Sequence, residues 1–315
     1  MPRPFPTRDV VLAALVILVI AACGGGSGRT ADPASAAPST SSGPSTASVI
    51  PLIVSSQQVV GENRFVFSFL DPATNLPAAS PDRTAAVAFI APGATEPGTA
   101  TAAEFLWAIE GSRGVYVATV GFAAAGDWKA VFVTEAPGKP QEAIGVSFQV
   151  QETGTTIAVG AEAPATDTPT GDDVGWDLAK LSTDATPDPA FYQLSIADAL
   201  AAGRPFVVAF ATPAFCQTAQ CGPTLDKVKA VSKSAPPTVA FINVEPYELA
   251  FTEGRLQPVL DANNQLQPVP AVSAWGLLSE PWVFTVDADG VVRGSFEGVV
   301  GEGELKAAIA KIAES

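Results

Sequence analysis

The sequence predicts two folded domains in series, an all-β sandwich followed by an α/β domain. Three observations carry that expectation. Residues 48–151 alternate apolar and polar side chains in short runs separated by Pro and Gly turns, the pattern of half-buried antiparallel strands. Residues 177–315 instead alternate continuous apolar runs with segments of helical spacing. Between them, 152–176 is poor in large apolar residues and includes Ala163-Pro164 and Thr168-Pro-Thr-Gly171, as expected of a linker.

The chain begins with a different kind of segment. Arg3 and Arg8 precede an apolar run, Val10 to Ile20, which leads into Ile20-Ala21-Ala22-Cys23. A basic start, a short apolar core and small residues before a cut site mark a secretory signal over 1–22. The run is shorter than the roughly 20 apolar residues that a membrane span needs. Residues 23–47 are mainly Gly, Ser, Ala, Pro and Thr. Such a tract cannot bury enough surface to order itself and reads as a flexible tether.

Charge and composition exclude several classes. The net charge of −15 disfavours nucleic acid and anionic lipid as partners. The absence of histidine removes His general bases, His-based metal sites and thiolate–histidine hydrolases. No compact acidic loop supports a calcium site; Asp287-Ala-Asp289-Gly290 reads as a turn between two strands. No metal site and no cofactor are expected.

In the sandwich, Ser48–Val54 opens the strand set. Arg64–Leu70 places Phe65, Phe67 and Phe69 on one face. Ala85–Ile90, Gly114–Val120, Asp127–Val133 and Ile144–Val150 follow. Trp107, Tyr116 and Trp128 read as core aromatics. The phrases Gly114-Val-Tyr116 and Ala125-Gly126-Asp127-Trp128 resemble immunoglobulin-like modules of exported bacterial proteins, which implies fold and no catalytic role.

In the second domain Ile196–Ala202 is a short helix ended by Gly203, and Phe206–Phe210 a strand buried on both faces. A helix near Pro223–Ser234 carries Leu225, Val228 and Val231. Thr238–Val244 is a further strand and Ala271–Trp275 a short helix. Trp282–Val286 and Gly290–Phe296 form a hairpin, and Glu302–Ala313 closes the chain as a helix with Leu305, Ile309 and Ile312 on one side.

The chemistry lies in three cysteines. The sequence Ile20-Ala21-Ala22-Cys23 resembles the lipobox of bacterial lipoproteins, which implies cleavage before Cys23 and its lipidation. Cys216 and Cys221 then remain, and an even remainder outside the cytoplasm reads as one disulfide. On an ideal helix a spacing of five would rotate the second cysteine by about 140° and raise it about 7.5 Å, beyond the roughly 7 Å that a disulfide spans. The segment between them must therefore loop, with the helix starting near Pro223.

The order β-α-β-α-β-β-α over 177–315, the cysteine pair after a buried strand, and Trp275-Gly276 followed by Pro281 and a hairpin resemble the thioredoxin family. The resemblance implies a cis peptide bond at Pro281, packed against the cysteines, with Glu280 and Trp282 beside it. It also implies exchange chemistry at Cys216 and Cys221. Two registers are open. Aligned from the strand, Cys216 is the nucleophile. Aligned on Cys221-Gly-Pro-Thr224, Cys221 sits at the helix N-terminus, where the dipole favours a thiolate; the second register is preferred.

The chain departs from the family in three ways. Ala209 stands where a buried carboxylate is common, Phe215 replaces a tryptophan, and Glu280 brings a negative charge that would disfavour the thiolate and slow attack. An inert staple therefore competes with a redox pair, although so short a loop gains only about 2 kcal/mol from its disulfide. The functions expected are a membrane-tethered thiol–disulfide oxidoreductase acting on exported proteins, a binding module with a retired redox site using Glu280 and Trp282, or a scaffolding lipoprotein. Implied partners are exported thiol proteins or a membrane electron donor, with membrane attachment through Cys23 and a location in the cell envelope.

Overall fold

A computed structural model describes residues 47–314. The expected signal peptide, nearly all of the tether and Cys23 lie outside the described residues. Among the described residues no helix is long and apolar enough to cross a membrane.

The first half forms two four-stranded antiparallel sheets. One runs β1 (Ile50–Ile53), β2 (Gly61–Leu70), β6 (Arg113–Phe122), β5 (Glu104–Ile109). The other runs β4 (Thr101–Ala102), β3 (Thr84–Ile90), β7 (Gly126–Glu135), β8 (Glu142–Val150). Both sheets contribute to one core of Phe65, Phe67, Phe69, Val87, Tyr116 and Phe132. Alternation explains the inward set, because successive strand side chains point to opposite faces. Phe67 stacks on Tyr116 at 5.5 Å between ring centres and meets Phe132 at 4.9 Å. The Tyr116 hydroxyl donates to the Ser80 carbonyl at 2.9 Å, and the Trp128 indole donates to the Ala124 carbonyl at 3.0 Å. Tyr116 and Trp128 are buried, whereas Trp107 is half-buried at the rim.

The second half holds a mixed sheet, β10 (Ala240–Val244), β9 (Phe206–Phe210), β13 (Trp282–Val286), β14 (Val292–Glu297). Only β9 and β10 are parallel. Both sheet faces are sealed, one by residues that include Leu225, Val228, Leu305 and Ile309, the other by residues that include Ile196, Trp275 and Phe284. A separate hairpin, β11 (Leu249–Thr252) and β12 (Arg255–Pro258), turns at Glu253-Gly254, both with positive φ (54° and 79°).

The thioredoxin-like α/β domain expected over 177–315 is corrected by this architecture. The described residues are mostly β, in four sheets, and the helices are four small ones. These are α1 (Ile196–Ala201), α2 (Cys221–Ser232), α3 (Pro270–Ala274) and α4 (Glu302–Ala313). The reasons are local. Gly203, at φ 58°, stops α1 after 6 residues. The stretch after β10 carries Pro246, Pro258 and Pro268, which remove backbone donors and break helices, so it goes into the β11–β12 hairpin rather than a helical layer. Proline at its start and Gly276, at φ 64°, confine α3 to 5 residues.

The two halves are in direct contact, and the described residues cluster as one compact unit. Val299 packs with Val66, Ala108, Val115 and Val117 on the outer face of the first sheet. The Arg64 guanidinium forks onto the Glu304 carboxylate with two bonds of 2.9 Å and lies over the Phe296 ring. The connecting segment 152–176 is strapped to the second half: Ile157 N–H donates to the Trp275 carbonyl and Ala163 N–H to the Gly290 carbonyl.

Candidate functional site

The site is built where β9 ends and α2 begins. Ala211 and Thr212 leave the strand buried, and the chain loops through 213–220 before entering α2 at Cys221. Cys216 and Cys221 form a disulfide with Cα atoms 5.9 Å apart. The loop keeps that separation below the limit that a continuous helix would exceed. The helix starts two residues before Pro223, which stands in the first turn where its missing N–H leaves no bond unmade.

The two sulfurs differ in access. Cys221 is 0% exposed, while Cys216 is only half-buried. Cys221 N–H, among the first free donors of α2, points at Cys216 Sγ at 3.1 Å. Thr218 Oγ1 lies 3.4 Å from the same sulfur and donates to the Glu280 carbonyl at 3.0 Å. Thr224, in the first turn of α2, donates to the Gly298 carbonyl at 2.7 Å and is buried. Its role is to tie α2 to the turn after β14.

Glu280 stands on the other side of the pair. It is 5% exposed, and the peptide joining it to Pro281 is cis. One carboxylate oxygen accepts from Gln217 N–H at 2.8 Å, the other from the Tyr247 hydroxyl at 2.7 Å. Burial and the facing Glu280 carboxylate push the Tyr247 phenol up, so it remains a donor. A carboxylate oxygen of Glu280 and both cysteine sulfurs lie within 4.8 Å of one another. Trp282 does not join this surface: it is 5% exposed and stacks on Phe284 within the sheet core. An open groove of about 440 Å³ borders the site, lined among others by Gln217, Thr218, Tyr247, Leu278 and Glu280.

Tyr247, Gln217 and Thr218 were not singled out by the sequence reading, and neither was Glu245. Glu245 stands just beyond β10, whose Asn243 pairs with Ala209 of β9. Burial raises its carboxyl above the ordinary range, against hydrogen bonds from Thr212 and Thr183. Thr183 Oγ1 also accepts from Ala214 N–H at 3.2 Å, which links this carboxyl to the foot of the cysteine loop. The available signal was a polar pair, Asn243 and Glu245, ending an otherwise apolar run. From the sandwich, Arg113 donates to the Thr218 carbonyl at 3.3 Å.

No protein-family model and no curated protein matches the chain. Among solved structures, a DUF4426 family protein from Pseudomonas aeruginosa PAO1 is similar over 30% of this chain and 76% of that one, at 11% identity and a TM-score of 0.22. A likeness of that size carries no argument about this chain.

Proposed function

We propose that this protein is an extracytoplasmic thiol–disulfide exchange protein, tethered to the membrane through Cys23, with Cys216 as its attacking sulfur. The observation that carries the reading is the asymmetry of the pair. Cys216 reaches the surface and receives the Cys221 N–H at 3.1 Å, while Cys221 is sealed. A backbone donor at a helix start favours a thiolate. This reverses the register preferred from sequence.

In the reaction, the Cys216 thiolate attacks one sulfur of a substrate disulfide. A mixed disulfide forms, and the other substrate sulfur leaves as a thiolate. Cys221, deprotonated, then attacks Cys216 Sγ, which closes the Cys216–Cys221 bond and releases the second substrate thiolate. Two electrons pass to the substrate. The groove beside Glu280 gives a substrate chain room to approach.

Trapping separates the roles. Reduced Cys221→Ser is expected to accumulate mixed disulfides with exported disulfide-bonded proteins, and Cys216→Ser to accumulate none. A pair that resists glutathione, with a reduction potential well below about −300 mV, points instead to an inert staple in a binding or scaffolding lipoprotein.

A further inference from the structure

We propose that the reduced form of this site is a metal site, in which Cys216, Cys221 and Glu280 take a zinc-class divalent cation. It shares the reducible pair with the exchange reaction but needs no protein substrate. Three observations carry it. The donor atoms of all three residues already lie within 4.8 Å of one another. Tetrahedral zinc holds two sulfurs about 3.8 Å apart and a sulfur and an oxygen about 3.6 Å apart, given bonds of about 2.3 Å and 2.1 Å. Breaking the disulfide frees the sulfurs to separate to that distance by side-chain rotation. Second, the carboxylate is oriented rather than loose. Gln217 N–H and the Tyr247 hydroxyl hold its two oxygens, as outer partners hold metal ligands. Third, no cation competes: among the described residues, no Lys or Arg ion pair involves Glu280.

Two thiolates and a carboxylate form a soft, borderline donor set that suits zinc better than calcium or magnesium. Three protein ligands leave a fourth position for water. The balance is simple. A dithiol reductant supplies two electrons and two protons to the Cys216–Cys221 bond and leaves as its own disulfide. Zn²⁺ then displaces both thiol protons to solvent. Bound metal blocks reoxidation, so metal and disulfide are mutually exclusive states of one site. The sequence shows no metal motif because Glu280 lies far along the chain from the cysteines.

The test uses the untagged full chain carrying Cys23→Ser, which leaves only this pair of thiols. A thiol mass-tag assay first establishes whether the pair is reduced. Equilibrium dialysis with Zn²⁺ alone is expected to give one metal per reduced chain and none per oxidised chain. Cd²⁺ is expected to give a thiolate charge-transfer band. Glu280→Gln is expected to weaken binding at least tenfold, and Tyr247→Phe by about tenfold or more, since it removes an orienting partner. A chain shown to be reduced that takes no zinc overturns the metal site and leaves the exchange reaction standing. Zinc bound equally well by Glu280→Gln overturns the three-ligand site. A pair that no dithiol reduces in the folded chain overturns both proposals.

Discussion

The sandwich half and the second half bury different kinds of side chain. In residues 48–151 the core is aromatic and aliphatic, and its buried hydroxyls, Ser68 and Thr134, each donate to a backbone carbonyl. In the second half Asn243, Glu280, Thr285 and Asp287 are buried. Asn243 Oδ1, Glu245 Oε2 and Thr285 Oγ1 find no hydrogen-bond partner there, against Gln58 and one Arg64 nitrogen in the first half. Buried polar groups cost stability unless they are satisfied. Glu280 lies at the end of β13 that borders the cysteine pair, whereas Thr285 and Asp287 lie towards its other end, opposite the start of β9. The sandwich supplies packing; it reaches the cysteine loop through Arg113 and the Thr218 carbonyl, and the Arg64–Glu304 fork joins it to α4.

The largest expected effect attacks the packing side. Phe67→Ala removes a fully buried ring from the sandwich core and is expected to cost about 3–5 kcal/mol in guanidinium unfolding. The thiols of the folded, reduced variant are expected to alkylate at the wild-type rate. A changed rate would break the division between the halves.

Next comes the joint between them. Arg64→Met leaves the partly buried Glu304 without its fork and is expected to cost about 2 kcal/mol. Burial alone would raise the Glu304 carboxyl. The Arg64 hydrogen bonds and charge, with the Gly301 N–H and the Lys227 charge, outweigh it, and the folded group lies below its ordinary range. Its contribution is therefore present above the ordinary glutamate range and is lost as pH falls through the folded value. Acid titration of stability should flatten in Arg64→Met.

A smaller effect probes the site. Glu280→Gln removes a negative charge beside the sulfurs while keeping an acceptor for Tyr247. Alkylation of the reduced pair at neutral pH is expected to quicken severalfold. An unchanged rate would show that the carboxylate does not govern the thiolate. The least effect is expected from Glu245. Its carboxyl is raised on folding, so its contribution is fully present below the unfolded value and is lost as pH rises through the folded one. Glu245→Gln should remove that slope and leave the acid limb, to which Glu304 contributes, unchanged.

Strand alternation at Phe65, Phe67 and Phe69, the helical spacing of Leu305, Ile309 and Ile312, and the turn at Asp289-Gly290 were all legible, because each is a local pattern with a local cause. The hairpin β11–β12 was not, since its Glu253-Gly254 turn lacks the usual Asn or Asp signal. Nor was how little helix residues 177–315 carry, where prolines and left-handed glycines shorten the connections.

By itself the sequence determined the cysteine pair, the need for it to loop, the core face of β2 and the charge and histidine content that rule out whole classes of chemistry. Tertiary structure alone decided that Val66, on the outer face of β2, is buried by Val299. It also decided that Cys216 rather than Cys221 is the accessible sulfur, that Trp282 faces inward, and that Glu280 and Tyr247 meet at the pair. Periodicity reports how one element presents itself, whereas these outcomes depend on which distant element packs against it.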